Sequence, residues 1–263
     1  MPFTISHAAV VLPFARILNR WRMLSAVVIG AMVPDFAFLL PWQVARVQSH
    51  SIVGLFAFCL PIGLASYWLF EYVVKPAAWE VLPDAAYWRS RELARPDPIL
   101  RPVQWLIAAV GILAGAVTHL AWDAFTHPGT RGARLFPALE DPLDIAGRPM
   151  PAFQIAQHAS SVLGLALVIY LLWRDMRPAA GAPVHPARAL DQHARRRWML
   201  VYVVAALLFC AVSVKLTWLR DRYGRSPSFI LSALVVGGLR GLLFSLLAVS
   251  ALIRVRLLSM HRR

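Results

Sequence analysis

Apolar runs of about 20 residues recur along this chain, and each is long enough to cross the hydrocarbon core of a bilayer as a helix. Inside lipid, every backbone N–H and C=O must be paired, and a helix pairs them within the segment itself. Of 263 residues, 59% are apolar and only 15% charged, which is too apolar for an ordinary soluble domain. The expected fold is all-α: a polytopic helical membrane protein forming one integral membrane domain, residues 1–263. It has about five transmembrane helices, over residues 52–74, 103–127, 154–173, 198–219 and 229–253. Before them, residues 1–51 form a segment of short or re-entrant helices.

The segments between the spans support this reading. The formal net charge of +14 would suggest nucleic acid in a soluble protein. Here the arginines sit mainly between apolar runs, where anionic lipid headgroups are the simpler partner. No basic reading helix or aromatic strand platform is present, so nucleic acid is excluded as a partner. Residues 75–102 read as a polar interfacial linker with Trp79, Tyr87 and Trp88. Residues 174–197 read as a flexible basic loop. Residues 128–153 read as a loop without periodicity, either a lid or an ordinary solvated loop. Cys59 and Cys210 both fall inside apolar runs and read as small buried hydrophobes. No CxxC or disulfide framework is present, and no cleavable signal peptide precedes the first span. Pro61 is expected to kink the first span, and Gly237, Gly238 and Gly241 around Arg240 are expected to let helices approach.

Against this background, the polar residues inside apolar runs stand out. Residues 118–127 read Thr-His-Leu-Ala-Trp-Asp-Ala-Phe-Thr-His. His119, Asp123 and His127 are spaced i, i+4, i+8, and each step drifts only about 40° around a helix, so they share a face. Imidazole and carboxylate in that pattern are metal ligands or acid/base groups, and ionisable groups within membrane segments are functional candidates by default. Four residues rise about 6 Å and eight about 12 Å. His119 and Asp123 therefore reach one metal, whereas His127 does not on a straight helix. Either His127 swings inward from an end broken at Pro128, or Asp123 bridges two metals, as in paired hydrolytic sites. Asp35, inside the short apolar run 23–41, is equally hard to explain as a solvated residue. That run, interrupted at Pro34, reads as a half-helix or re-entrant segment. His7 is placed at the start of a helix from about Ser6 to Asn19.

With five spans, the chain's connectivity brings these residues together. If residues 1–51 lie on one side, the second span delivers His119, Asp123 and His127 to that side, and the third starts there with His158. His7, Asp35 and His50 are there already. The remaining histidines, His185, His193 and His261, fall on the other face and read as solvated. Segments on the site's side carry fewer Lys and Arg than those opposite (10 against 15). The positive-inside rule then puts the site outside the cytoplasm. Neutral imidazoles with carboxylates suit a divalent metal, zinc first and manganese or iron as alternatives, and Arg131 or Arg134 would hold a phosphate. No Gly-x-Ser-x-Gly elbow, P-loop or His-Glu-x-x-His is present.

These residues also carry a resemblance. The opening Met-Pro-Phe-Thr-Ile-Ser-His-Ala-Ala, the run Ile29 to Asp35, Ser49-His-Ser51, His119-x3-Asp123-x-Phe-Thr-His127 and Gln157-His-Ala-Ser-Ser161 resemble the bacterial membrane proteins catalogued as domain of unknown function 4184. The similarity covers about residues 1–175 and continues more loosely to the end. It implies a bacterial cytoplasmic (inner) membrane location but no activity. More distantly, the chain resembles bacterial inner-membrane metal-dependent hydrolases, with a ligand vocabulary similar to zinc-dependent phospholipase C. That resemblance implies His7, Asp35, His50, His119 and Asp123 as metal ligands. His158 and His127 come from the closer family's motifs, His158 to complete the shell and His127 as ligand or general acid/base. Asp123 is expected to serve catalysis as well.

The leading expectation is therefore a metal-dependent hydrolase of a lipid or phosphoester, with membrane lipids as partners. The alternatives are an ion or proton transporter using the same cluster, haem held by paired histidines, and a non-catalytic polar plug. Haem would need neither aspartate. A plug would give histidine variants that lose stability with no metal effect.

Overall fold

A computed structural model describes residues 4–40, 44–84, 87, 101–145, 147–176, 188–220 and 227–260. His185, His261 and Trp88 lie outside the described residues, as do 177–187 of the basic loop. The N-terminal stretch opens with a 3₁₀ helix, Thr4–Val10, then a 3₁₀ turn at Leu12–Phe14 and helix α1, Ala15–Arg20. The expected single helix from Ser6 to Asn19 is thus broken, at Pro13, which cannot donate to a helical ladder. Helix α2, Leu24–Met32, runs into a 3₁₀ turn at Val33–Phe38 that carries Pro34 and Asp35. This is the expected half-helix. A short α3, Arg46–Ser49, follows.

Among the described residues, five helices are long and apolar enough to cross a membrane, as in an integral membrane protein: α4, Ile52–Val81; α5, Pro102–Thr126; and, within α7 to α9, Ala152–Arg174, Gln192–Leu216 and Leu234–Met260. Helix α7 itself covers Ala152–Met176, α8 Gln192–Arg220 and α9 Pro227–Met260. Helix α4 runs seven residues beyond the expected span, into the supposed linker. Between α5 and α7 lie α6, Arg131–Leu135, and a hairpin pairing β1, Pro142–Ile145, with β2, Arg148–Pro151. Asp144 accepts from the Gly147 amide (2.7 Å), and Gly147 takes φ +78°, a conformation glycine adopts without a Cβ penalty. Period-two patterning had no room to appear in two four-residue strands with prolines at their ends.

Helix α4 widens to π winding at Leu55–Cys59 and again at Phe70–Val74. Each lies just ahead of a proline, Pro61 and Pro76, whose ring crowds the carbonyl four residues back and offers it no N–H. At Pro76 that carbonyl is Tyr72's, and Arg254 donates to it instead (3.1 Å).

The residues cluster into two compact units, 1–67 with 97–175, and 68–96 with 176–263. In the second, Ala77, Val81, Leu190, Val249, Ile253 and Leu257 form a buried cluster. Arg188 donates to the Leu82 carbonyl (2.6 Å) and pairs with Asp84 (3.1 Å). The C-terminal end of the supposed flexible loop 174–197 is therefore fixed structure. Gly237 and Gly241 of α9 sit against the α8 backbone at Val214 and Cys210, as expected of small residues at a helix contact. Cys210 is only half-buried, whereas Cys59 is fully buried. His193 is exposed.

In the first unit, α5 buries a stripe: Gln104, Ala108, Gly111, Ile112, Gly115, Ala116, His119, Asp123 and Thr126. Its first turns are small so that α2 can come close. A Cβ on Gly115 would run into the backbone of Val27 and Ala31, and one on Gly30 into that of Ile112. The same stripe, continued in phase, turns polar at His119 and Asp123. The helix geometry that brings α2 against α5 thus also brings Asp35 towards those two residues.

Candidate metal centre

His7, Asp35, His119, Asp123 and His127 are all buried, and the His50 side chain is 5% exposed. Asp123 is central. Its Oδ1 lies 3.8 Å from His7 Nε2 and 3.5 Å from His127 Nδ1; its Oδ2 lies 3.6 Å from His119 Nε2 and 3.5 Å from His50 Nε2. Asp35 Oδ1 adds contacts of 3.5 Å to His50 Nε2 and 3.7 Å to His119 Nε2. The His7 and His119 rings stack with centroids 3.7 Å apart. Charged partners packed this closely in an apolar wall are costly unless their remaining lone pairs are satisfied.

The second nitrogens orient the rings. His119 Nδ1 donates to the Ala31 carbonyl at 2.8 Å, which leaves Nε2 as the nitrogen facing the carboxylates. His50 Nδ1 is held at 2.8 Å by the fully buried Ser49 hydroxyl. Such outer contacts are how ligating imidazoles are oriented. His7 is neutral at pH 7: burial, with His119 beside it, holds its pKa at about 4.

Nε2 of His7, His50 and His119, and Oδ1 of Asp123, are buried without a hydrogen-bond partner. Buried polar atoms left so usually mark a functional site or an ion. Their separations of 3.5–3.8 Å are too long for hydrogen bonds. They are a few tenths of an ångström above the roughly 3.3 Å between donors bound tetrahedrally at zinc distances. Among the described residues, two groups have the geometry to hold a metal ion: His7, His119 and Asp123, and Asp35, His50 and His119. Both draw on the same His119 atom, because Nδ1 is engaged. The two groups together make a set of five donors that would share one ion. Nitrogen donors with carboxylates suit zinc, manganese or iron.

A model of the family described as Domain of unknown function (DUF4184) matches residues 1–251. The chain belongs to this family. Comparisons with curated proteins and with solved structures returned no match.

For this DUF4184 member, one expected site residue lies apart from the cluster. His158 is exposed on α7 and joins neither metal-competent group. Its neighbour Gln157 is buried instead, with its amide nitrogen 3.4 Å from His127 Nε2. His127 does swing inward from the helix end. Its backbone is extended (φ −131°, ψ 148°), and Nδ1 lies 3.3 Å from the Asp123 carbonyl. With both ring nitrogens engaged, it stands beside the donor set rather than in it. Burial, with Arg46 nearby, holds its pKa below the ordinary histidine value.

The cation at the site is Arg46, not Arg131 or Arg134, which are exposed. Arg46 Nη2 donates to Asp123 Oδ2 at 2.7 Å, and its side chain remains 37% exposed. Thr4 Oγ1 donates to Asp35 Oδ2 at 3.0 Å. Asp35 and Asp123 set two carboxylates against one guanidinium here, a balance that favours a divalent cation among them. Thr4, Ser49 and Gln157 lie inside the motifs quoted above, which signalled their stretches but not their roles, and Arg46 carried no periodic or motif signal.

Proposed function

We propose that this protein is a metal-dependent hydrolase of the bacterial inner membrane, acting on a phosphoester or lipid from the extracytoplasmic side. One observation carries the reading: three buried imidazole Nε2 atoms and Asp123 Oδ1, brought from three separate stretches of chain, face one another without hydrogen bonds. His7, Asp35, His50, His119 and Asp123 would hold the ion. When bound, a divalent ion supplies Lewis acidity and acidifies water.

The chain's own residues supply the rest. Ala31 and Ser49 fix the His119 and His50 rings, so the donor atoms need little reorganisation. Arg46, half in solvent, can turn from Asp123 to a phosphate oxygen, where its planar fork binds two oxygens at once. His127, next to Asp123, would take up and return a proton at Nε2 once the Gln157 amide turns away from it.

The test is metal content per chain in mild detergent, for wild type against Asp123→Ala and His119→Ala at matched folding. Stoichiometric zinc, manganese or iron in wild type, falling more than about tenfold in both variants, supports the reading. Well-folded protein that holds no metal even after reconstitution overturns it.

A further inference from the structure

A groove of about 610 Å³ adjoins the cluster, with His7 in its wall. It lies along Thr118–Phe125 of α5 and Ser160–Leu167 of α7, roughly 10 Å of each helix. Its larger side chains, Val10, Trp122, Phe125, Leu163 and Leu167, are all exposed. Four of the five belong to candidate spans, where exposed apolar side chains meet acyl chains rather than water. The volume is that of a ligand pocket, about 300–1,000 Å³, rather than a gap between side chains.

Ser160 accepts from Trp122 Nε1 at 3.2 Å, which ties the two helices at the groove. His7 lies 3.8 Å from Asp123, which Arg46 holds at 2.7 Å. The groove is thus lined mainly by apolar side chains, carries one imidazole of the cluster in its wall, and has a guanidinium two contacts away. An apolar wall on candidate spans with a cation nearby matches an amphiphile with an anionic head, not a soluble phosphoester.

We infer that this groove seats one acyl chain of a membrane phospholipid, admitted sideways from the bilayer, with its phosphate ester beside the His/Asp cluster and Arg46. The inference rests on the hydrolase reading for the fate of the lipid, but not for its binding.

The experiment uses the full chain in phosphatidylethanolamine/phosphatidylglycerol vesicles containing a trace of phosphatidylglycerol with a diazirine in one acyl chain. After irradiation, labelled peptides are mapped by mass spectrometry, and metal is measured on the same sample. Labelling of residues 118–125 and 160–167 should exceed that of the lipid-facing stretch of α8 around Leu207 by about tenfold, as for a site preferred over bulk lipid. It should fall to the α8 level in Ala121→Trp and in Thr118→Trp, which fill the groove from exposed positions, with metal content unchanged.

Labelling no stronger than on α8 overturns the inference, and so does a chain-to-chain crosslink through the groove. If neither variant folds, the wild-type ratio decides. Metal present with uniform labelling removes the groove and leaves the hydrolase reading. Enriched labelling without metal removes the hydrolase reading and leaves a lipid site.

Discussion

Asp123 is the residue on which the site turns, because both of its oxygens are shared among histidines and Arg46 holds one of them. Removing that guanidinium tests whether it serves the ion or the substrate. Arg46→Ala should keep its metal and lose about 10²-fold in turnover of bis(p-nitrophenyl) phosphate, the scale for losing one preorganised electrostatic partner. Parallel loss of metal would instead make Arg46 part of the holding shell. His158→Ala should leave metal content unchanged and stability within about 0.5 kcal/mol, since the side chain is exposed. A melting curve with metal analysis checks both. His119 and Asp123 were legible because i, i+4 spacing on one helix is a local property. Gln157 and His158 were not separable on the same grounds. Neighbours on a helix point about 100° apart, and only the phase of the packed helix decides which faces in. Arg46 meets a partner 77 positions away, and no local pattern encodes that distance.

The decisive element is the short apolar helix α2, which stops after nine residues and hands Asp35 to the site through a 3₁₀ turn. It stays in place through backbone contact at Gly30 and Gly115, and its Ala31 carbonyl orients His119. Gly115→Ala should therefore cost about 1–3 kcal/mol, the usual penalty for overpacking, and lower metal content as well. Gly238→Ala is the control: nothing lies within 4 Å of a Cβ there, so its melting temperature should not fall. Equal effects in the two variants, read by thermal unfolding in detergent, would remove the glycine contact as an explanation. The half-helix was readable from its length and from Pro34-Asp35. Its partner was not, because glycines in an apolar run look alike whether they meet a helix or lipid. The π turns were unreadable beyond the prolines that follow them.

For the whole molecule, membrane sidedness is the open prediction. If all five candidate helices cross and the site lies outside the cytoplasm, a C-terminal green fluorescent protein fusion should fluoresce and a C-terminal alkaline phosphatase fusion should be inactive. The reverse pair of results would put the site on the cytoplasmic face. The spans were the most legible feature of the chain, since in lipid a single variable, apolar length, decides them. The grouping of residues into two compact units was not legible, because a helix surface suited to lipid and one suited to another helix have nearly the same composition.

The union of Asp35 with His119 and Asp123 also has a consequence in time. The ribosome makes His7, Asp35 and His50 well before the span that bears the other two. Until that span enters the bilayer, an aspartate waits in an apolar segment with His119 still to be synthesised. The order of synthesis therefore makes the second span the step that completes the cluster, and a nascent chain arrested before residue 119 has three of its five members.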